Sequence, residues 1–181
     1  MGRPKALLEL EGRSFLERVV RALRRGGCDP VIVVVAEGNE AITAEAARIG
    51  AATLTNPDPG EGPITSLRLA IAELDNTVDG LAYLPVDHPL VEPDTVARLL
   101  DEASTSGAPL TLPMRGEKRG HPAIFQAGLF PELCDPTLEG GARIVVHRHL
   151  DAARLVEVDD PGVVADIDTP EAYAALTARE S

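Results

Sequence analysis

The chain has 181 residues, 44% hydrophobic and 25% charged, which suits one globular domain with a sizeable core. A net charge of −12 excludes a broad nucleic-acid or anionic-membrane surface, since either needs a basic footprint. It does not exclude a small phosphate ligand, which a few local donors and a metal ion can hold. No apolar run approaches the roughly 20 residues of a membrane helix, and no signal-peptide pattern opens the chain. Cys28 and Cys134 fit no metal or redox spacing, so a cytoplasmic protein with reduced thiols is expected.

Residues 14–25 carry Phe15, Leu16, Val19, Val20 and Leu23 at helical spacing. Ser14 with Glu17 reads as a capping box, and Gly26-Gly27 as the stop. Val31–Ala36 is apolar on both faces, as in a strand covered by helices on both sides. A helix is predicted over Ala41–Ile49, a short strand over Ala52–Thr55, a loop over Asn56–Pro63 and a helix over Ile64–Leu74. Gly80–Pro85 reads as a second buried strand and Asp94–Ser104 as a helix opened by Pro93. Leu110–Pro113 and His121–Phe125 read as strands, Gly140–His149 as a helix and Leu155–Val158 as extended. The last helix is Thr169–Ala178, with Pro170 at its first turn.

Strands alternating with helices of about ten residues predict an α/β fold, a doubly wound and mostly parallel sheet. Segment 114–162 alternates less regularly and reads as an insertion covering one side of the ligand site. In such sheets ligands sit beyond the carboxyl ends of the strands. Asp87 directly follows a buried strand, at the edge where such sheets bind ligands, or caps the turn before Pro89. Asp168 precedes Thr169-Pro170 and reads as a helix cap, and Asp166 shares its side of an extended segment. Ser66 near a helix start suits an anion or a nucleobase edge, or simply initiates the helix. His88 has no Cys or His partner at zinc spacing, and His147 and His149 read as a solvated helix end.

The opening Met1-Gly2-Arg3-Pro4-Lys5 resembles the second half of the signature of MobA-like nucleotidyltransferases. That signature is an apolar strand, then Leu-Ala-Ala-Gly-x-Ser-x-Arg-Met-Gly-x-x-Lys. Met1, Gly2 and Lys5 fall on its Met, Gly and Lys. The resemblance continues through Asn56-Pro57, Gly62-Pro63-Ile64-Thr65-Ser66-Leu67, Pro85-Val86-Asp87-His88-Pro89, Gly120-His121-Pro122 and Asp166-Ile167-Asp168-Thr169-Pro170-Glu171. The motifs stand in the family's order along essentially the whole chain. The Gly-His-Pro and Asp-Ile-Asp-Thr-Pro elements resemble the branch that acts as molybdenum cofactor (molybdopterin) cytidylyltransferase.

The resemblance implies a Rossmann-like fold of the nucleotide-diphospho-sugar transferase type. It makes Asp87, Asp168 and Asp166 ligands of Mg²⁺, and Lys5 a cation for triphosphate oxygens, with Gly2, Arg3 and Ser66 beside the nucleotide. His121 becomes an acceptor contact, against a merely structural histidine. The implied reaction moves an NMP, CMP in preference to GMP, from an NTP to a molybdopterin-type phosphorylated acceptor, releasing pyrophosphate. A sugar phosphate is the alternative acceptor, and a non-catalytic maturation factor for a molybdoenzyme the alternative class. A molybdoenzyme or its chaperone is then a partner. The apolar strand and Gly-rich turn of the signature are not among these residues. The resemblance therefore leads us to expect a truncated first strand, either with Met1 an internal methionine or with weakened NTP binding.

Overall fold

In the computed structural model, residues 4–178 apart from Asn76 are described. Pro4 leads into a single 3-10 turn, Lys5–Leu7. Strands β1 (Glu9–Leu10) and β2 (Arg13–Ser14) then form a small antiparallel hairpin. Its turn residues Glu11 and Gly12 both have positive φ, 52° and 71°. That geometry matches the twist of a two-residue hairpin. Ser14 caps α1 (Phe15–Arg25), accepting from the Glu17 amide at 3.0 Å. The Glu17 carboxylate does not complete the expected capping box. It pairs with Arg48 and Arg13 instead, because an ion pair to a neighbouring helix outcompetes a return bond to the cap.

The next elements are β3 (Ile32–Ala36), α2 (Glu40–Arg48), β4 (Ala52–Asn56), α3 (Pro63–Ala72) and β5 (Gly80–Tyr83). Then follow α4 (Pro93–Ser106), β6 (Leu110–Arg115), β7 (Lys118–Arg119) and β8 (Ala123–Gln126). The chain closes with α5 (Phe130–Leu133), α6 (Ala142–Arg148), β9 (Arg154–Glu157) and α7 (Pro170–Thr177). Each expected element agrees with these to within two residues at both ends. The two-residue strands β1, β2 and β7 and the four-residue α5, too short to show a period, are not among the expected elements.

β3 and β4 pair in parallel. β8 runs antiparallel to both β5 and β6, and β9 pairs parallel to β6. Hence β5, β6 and β9 share one direction and β8 opposes them. This corrects the reading of segment 114–162 as an insertion. It supplies β8, which lies between β5 and β6, and β9. Its apolar run Ala123-Ile124-Phe125 belongs in the sheet because both faces are covered. Ile124 packs with Leu99 and Ala103 of α4, whereas Ala123 and Phe125 pack with Leu67 of α3, Leu133 of α5 and Val145 of α6. Alternation along one strand thus sorts its side chains into two helix-covered layers.

Between β3 and β5 the sheet is open among the described residues. Val31–Val34 face Gly80–Asp87 across a cavity of about 1340 Å³, roofed by α1 and floored by α3. The two strands do not close up to pair with each other. Among the described residues, their facing edges have no ladder partners.

Candidate active site

The carboxyl end of β5 runs through Leu84 and Pro85 to Asp87 and His88. Two strand-like segments converge on it. The Ile167 amide donates to the Asp87 carbonyl at 2.8 Å, which lays residues 166–168 alongside. Ile167 itself is buried against Leu8, Leu10 and Phe15, so Asp168 projects to the other side, at the site. Thr169 caps α7 by accepting from the Ala172 amide at 3.1 Å. Asp168 is therefore free of the capping role that was its alternative reading.

Lys5 reaches the same place from the other end of the chain. Its ammonium donates to the Asp168 carboxylate. It is neither a loose arm nor an isolated charge. That contact holds the Asp168 carboxyl below the usual carboxylate range. Asp87 behaves in the opposite way. Burial pushes its carboxyl up, the Asp168 charge adds to this, and His88 and Lys5 oppose it. Its Oδ1 is buried without a hydrogen-bond partner.

A buried orphan carboxylate oxygen beside a second carboxylate is what a divalent cation relieves. Among the described residues, no trio of His, Cys, Asp or Glu is arranged to hold a metal by protein groups alone. Asp87 and Asp168 would hold a divalent cation that takes its remaining ligands from water and substrate phosphates. Asp166 is exposed and is not drawn into the cluster.

The loop Asn56–Gly62 is built around one buried side chain. Asn56 is 2% exposed. Its amide donates to Thr65 Oγ1 at 2.8 Å and Ser66 Oγ at 3.0 Å, and its Oδ1 accepts from the Asp58 amide at 2.9 Å. Ser66 is thus held at the first turn of α3, whose N-cap Gly62 offers no side chain. Ser66 and Asp87 line the same cavity. Sequence reasoning noted Asn56 within a motif but did not assign it this role. A short polar residue between strand and loop carries no signal until its partners ten residues on are in place.

His121 is packed against Tyr83, ring centroids 5.8 Å apart, and against His88 at 4.8 Å. Burial drops its pKa to about 4, with His88 adding to the effect, so the imidazole is neutral at physiological pH. Its Nδ1 is buried without a partner. His88 is 8% exposed, with Nδ1 3.4 Å from the Gly162 carbonyl, as expected of a structural histidine. His149 is not simply solvated. It meets Glu132 at 2.6 Å, while His147 stays exposed. Gly2 and Arg3 lie outside the described residues.

A second cavity of about 1000 Å³ opens beside this cluster, between the start of α3, the β6–β8 face and α6. Pro63, Leu67, Tyr83 and Pro85 line both cavities, and His121 lines the second. One site therefore offers a carboxylate pair with a lysine, a helix start and an adjoining pocket.

The layered α/β sheet with ligand groups at its strand ends, together with the family match, places the chain among nucleotidyltransferases of the nucleotide-diphospho-sugar transferase fold. The model of the MobA-like NTP transferase domain matches residues 1–176, and the chain belongs to that family. It is similar to nicotine blue oxidoreductase of Paenarthrobacter nicotinovorans, 31% identical over 93% of this chain and 85% of that protein. It is also similar to the molybdenum cofactor guanylyltransferase of Shewanella sp. (strain MR-4), 27% identical over 98% and 88%. Among solved structures, Rv0371c of Mycobacterium tuberculosis H37Rv superposes with a TM-score of 0.83 at 28% identity, covering 97% of this chain and 89% of that one. The same protein has been solved in complex with manganese, with a TM-score of 0.80 at 27% identity, covering 96% and 90%. The expected fold and enzyme class hold. No helix among the described residues is long and apolar enough to cross a membrane.

Proposed function

We propose that this nucleotidyltransferase moves an NMP, CMP in preference to GMP, from an NTP to a molybdopterin-type phosphorylated acceptor, with Mg²⁺ as its metal. The observation that carries this reading is the convergence of Lys5, Asp87 and Asp168 at the end of β5, next to a pocket large enough for a second substrate. Asp87 and Asp168 would hold the Mg²⁺, which supplies counter-charge to phosphate oxygens.

The chemistry asks mainly for positioning and charge. An acceptor phosphate oxygen attacks the α-phosphorus, the bond to the bridging oxygen breaks, and pyrophosphate leaves with the electron pair. Lys5 places an ammonium where negative charge collects. Asp168 keeps that ammonium in position before substrate arrives. Asn56 fixes Ser66 and the start of α3, where backbone amides suit a phosphate or a base edge. Neutral His121 offers a hydrogen bond, not a charge, on the acceptor side.

The test is transfer of label from α-labelled CTP or GTP to a molybdopterin-type acceptor, with and without Mg²⁺. Label in a dinucleotide together with released pyrophosphate, in the presence of metal only, supports the reading. Transfer to a sugar phosphate alone would move the acceptor to that class. Tight Mg·CTP binding without turnover on any acceptor would favour a binding factor for molybdoenzyme maturation. GTP consumed faster than CTP would reverse the base preference.

A further inference from the structure

Pro93 opens α4 without an amide hydrogen, and Glu92 before it makes no side-chain cap. A carboxylate from far along the chain takes that place. Asp160 Oδ2 accepts from the Glu92 amide and the Thr95 hydroxyl, each at 2.9 Å, and its Oδ1 accepts from the Gly162 amide at 2.7 Å. Both oxygens are thus committed, at a helix end whose dipole favours negative charge. Asp160 is 9% exposed and lines neither cavity, so it reaches no ligand there. The helix it grips is a firm anchor, since Leu99 and Ala103 pack α4 onto Ile124 of β8 and Val156 of β9.

The residues after Asp160 bond to groups of the site. The Gly162 carbonyl stands 3.4 Å from His88 Nδ1. The Val163 carbonyl accepts from the His121 amide at 2.8 Å, and the Ile167 amide donates to the Asp87 carbonyl at 2.8 Å. Asp168 accepts from Lys5. The backbone is also pressed from two sides. A Cβ on Gly162 would overlap the Leu90 carbonyl and stand 2.6 Å from the Val91 nitrogen, and one on Gly120 would overlap the Val163 carbonyl. Packing this close transmits a displacement instead of absorbing it. A shift at residue 160 therefore passes to His121 and, through Ile167, to the pairing of Asp168 with Asp87.

We propose that Asp160 is a positioning residue: by fastening segment 160–168 to the start of α4, it sets Asp168 beside Asp87 and His121 beside Tyr83 and His88. The inference rests on the transferase reading only in treating the two carboxylates as a metal pair; their placement is measured separately. An Asp160 that merely capped α4 would contribute stability and leave the geometry of the site alone.

The experiment uses the 181-residue protein. Amide hydrogen exchange, read by nuclear magnetic resonance, reports the placement, and Mn²⁺ binding, read by electron paramagnetic resonance, reports the carboxylate pair. Asp160→Asn keeps one acceptor oxygen and turns an amide donor toward groups that themselves donate. Exchange at the Ile167 and His121 amides should then quicken about tenfold or more relative to Val20 within α1, a ratio that separates local opening from global unfolding. Mn²⁺ affinity should fall about tenfold, ~1.4 kcal/mol. Thr95→Val removes one of the three bonds with little change of shape and should give the same pattern at smaller amplitude. Thr95→Ser keeps the hydroxyl and should behave as wild type. The Thr95 pair carries the test should Asp160→Asn fail to fold.

Unchanged relative exchange at Ile167 and His121 in the folded variants would overturn the inference. Mn²⁺ affinity lost in Asp87→Asn but kept in Asp160→Asn would overturn it too. Mn²⁺ affinity indifferent to Asp87→Asn would count against the metal reading alone, and the exchange at Ile167 and His121 then decides whether Asp160 sets the placement.

Discussion

Asp87 and Asp168 are brought side by side by a backbone contact, the Ile167 amide on the Asp87 carbonyl at 2.8 Å, yet they carry opposite perturbations. Burial raises the Asp87 carboxyl, and Lys5 lowers that of Asp168. The two carboxyls differ because Lys5 donates to the exposed Asp168, whereas Asp87 is half-buried with its Oδ1 unpartnered. The site is thus polarised before any ligand enters.

Asp87→Asn separates function from stability. A group whose folded pKa is raised binds more protons in the folded state. Its charge then opposes folding, and this cost grows as pH rises through the folded pKa. At pH 7 in chelator, Asp87→Asn should therefore keep or raise the melting temperature. Transfer activity with Mg²⁺ should fall by about 10²-fold or more, in line with the loss of a group that places counter-charge. A variant both stable and fully active would remove Asp87 from the site.

His121 predicts a pH dependence of stability. Its folded pKa of about 4 lies below the ordinary histidine value. Between these two values the unfolded chain binds the proton and the folded chain does not. The contribution of His121 is fully present above about pH 6.5, falls as the pH drops through that window, and is lost below about 4. The total is on the order of 3 kcal/mol. Chemical denaturation of the protein and of His121→Gln between pH 7 and 4 checks it. The wild-type curve should fall more steeply, and parallel curves would refute the burial argument.

The layered sheet was legible because its strands are apolar on both faces and its helices carry caps and stops. Val31–Ala36 and Gly80–Pro85 could hardly be anything else. The Asp87 and Asp168 pairing was legible only through the family resemblance, since 81 positions separate them. Asp160 was not legible. It is 9% exposed and accepts from the Glu92 amide, the Thr95 hydroxyl and the Gly162 amide, tying the start of α4 to residues 160–162. Nothing local marks one aspartate of Asp159-Asp160 as buried, because its partners lie up to 68 positions away.

Asn56→Ala tests the organisation of the α3 start. The substitution removes donors to Thr65 and Ser66 and the acceptor for Asp58. A buried loss of this kind costs about 1–3 kcal/mol. The expected kinetic signature is a higher KM for the NTP with a smaller change in kcat, because the loop still bears its groups but no longer holds them in register. Asn56→Asp should retain the bond to the Asp58 amide and lose both donors. Its KM should therefore resemble that of the alanine variant. A purely structural Asn56 would show the stability loss with KM unchanged.

Gly120 gives the sharpest packing prediction. A Cβ there would stand 2.1 Å from the Val163 carbonyl oxygen and 2.6 Å from its carbon, both backbone atoms. The next residue fixes the same spacing, since the His121 amide donates to that carbonyl at 2.8 Å. Gly120→Ala must push segment 161–164 away or displace His121, and overpacking against backbone costs about 1–3 kcal/mol. Gly128→Ala, where a Cβ meets nothing within 4 Å, is the control and should be near neutral. Displacing His121 also moves part of the wall of the second cavity, the proposed acceptor side. Gly120→Ala should therefore raise the acceptor KM more than the NTP KM, measured at a temperature where the variant remains folded. Equal changes in both would mean that Gly120 serves only the packing of residues 161–164.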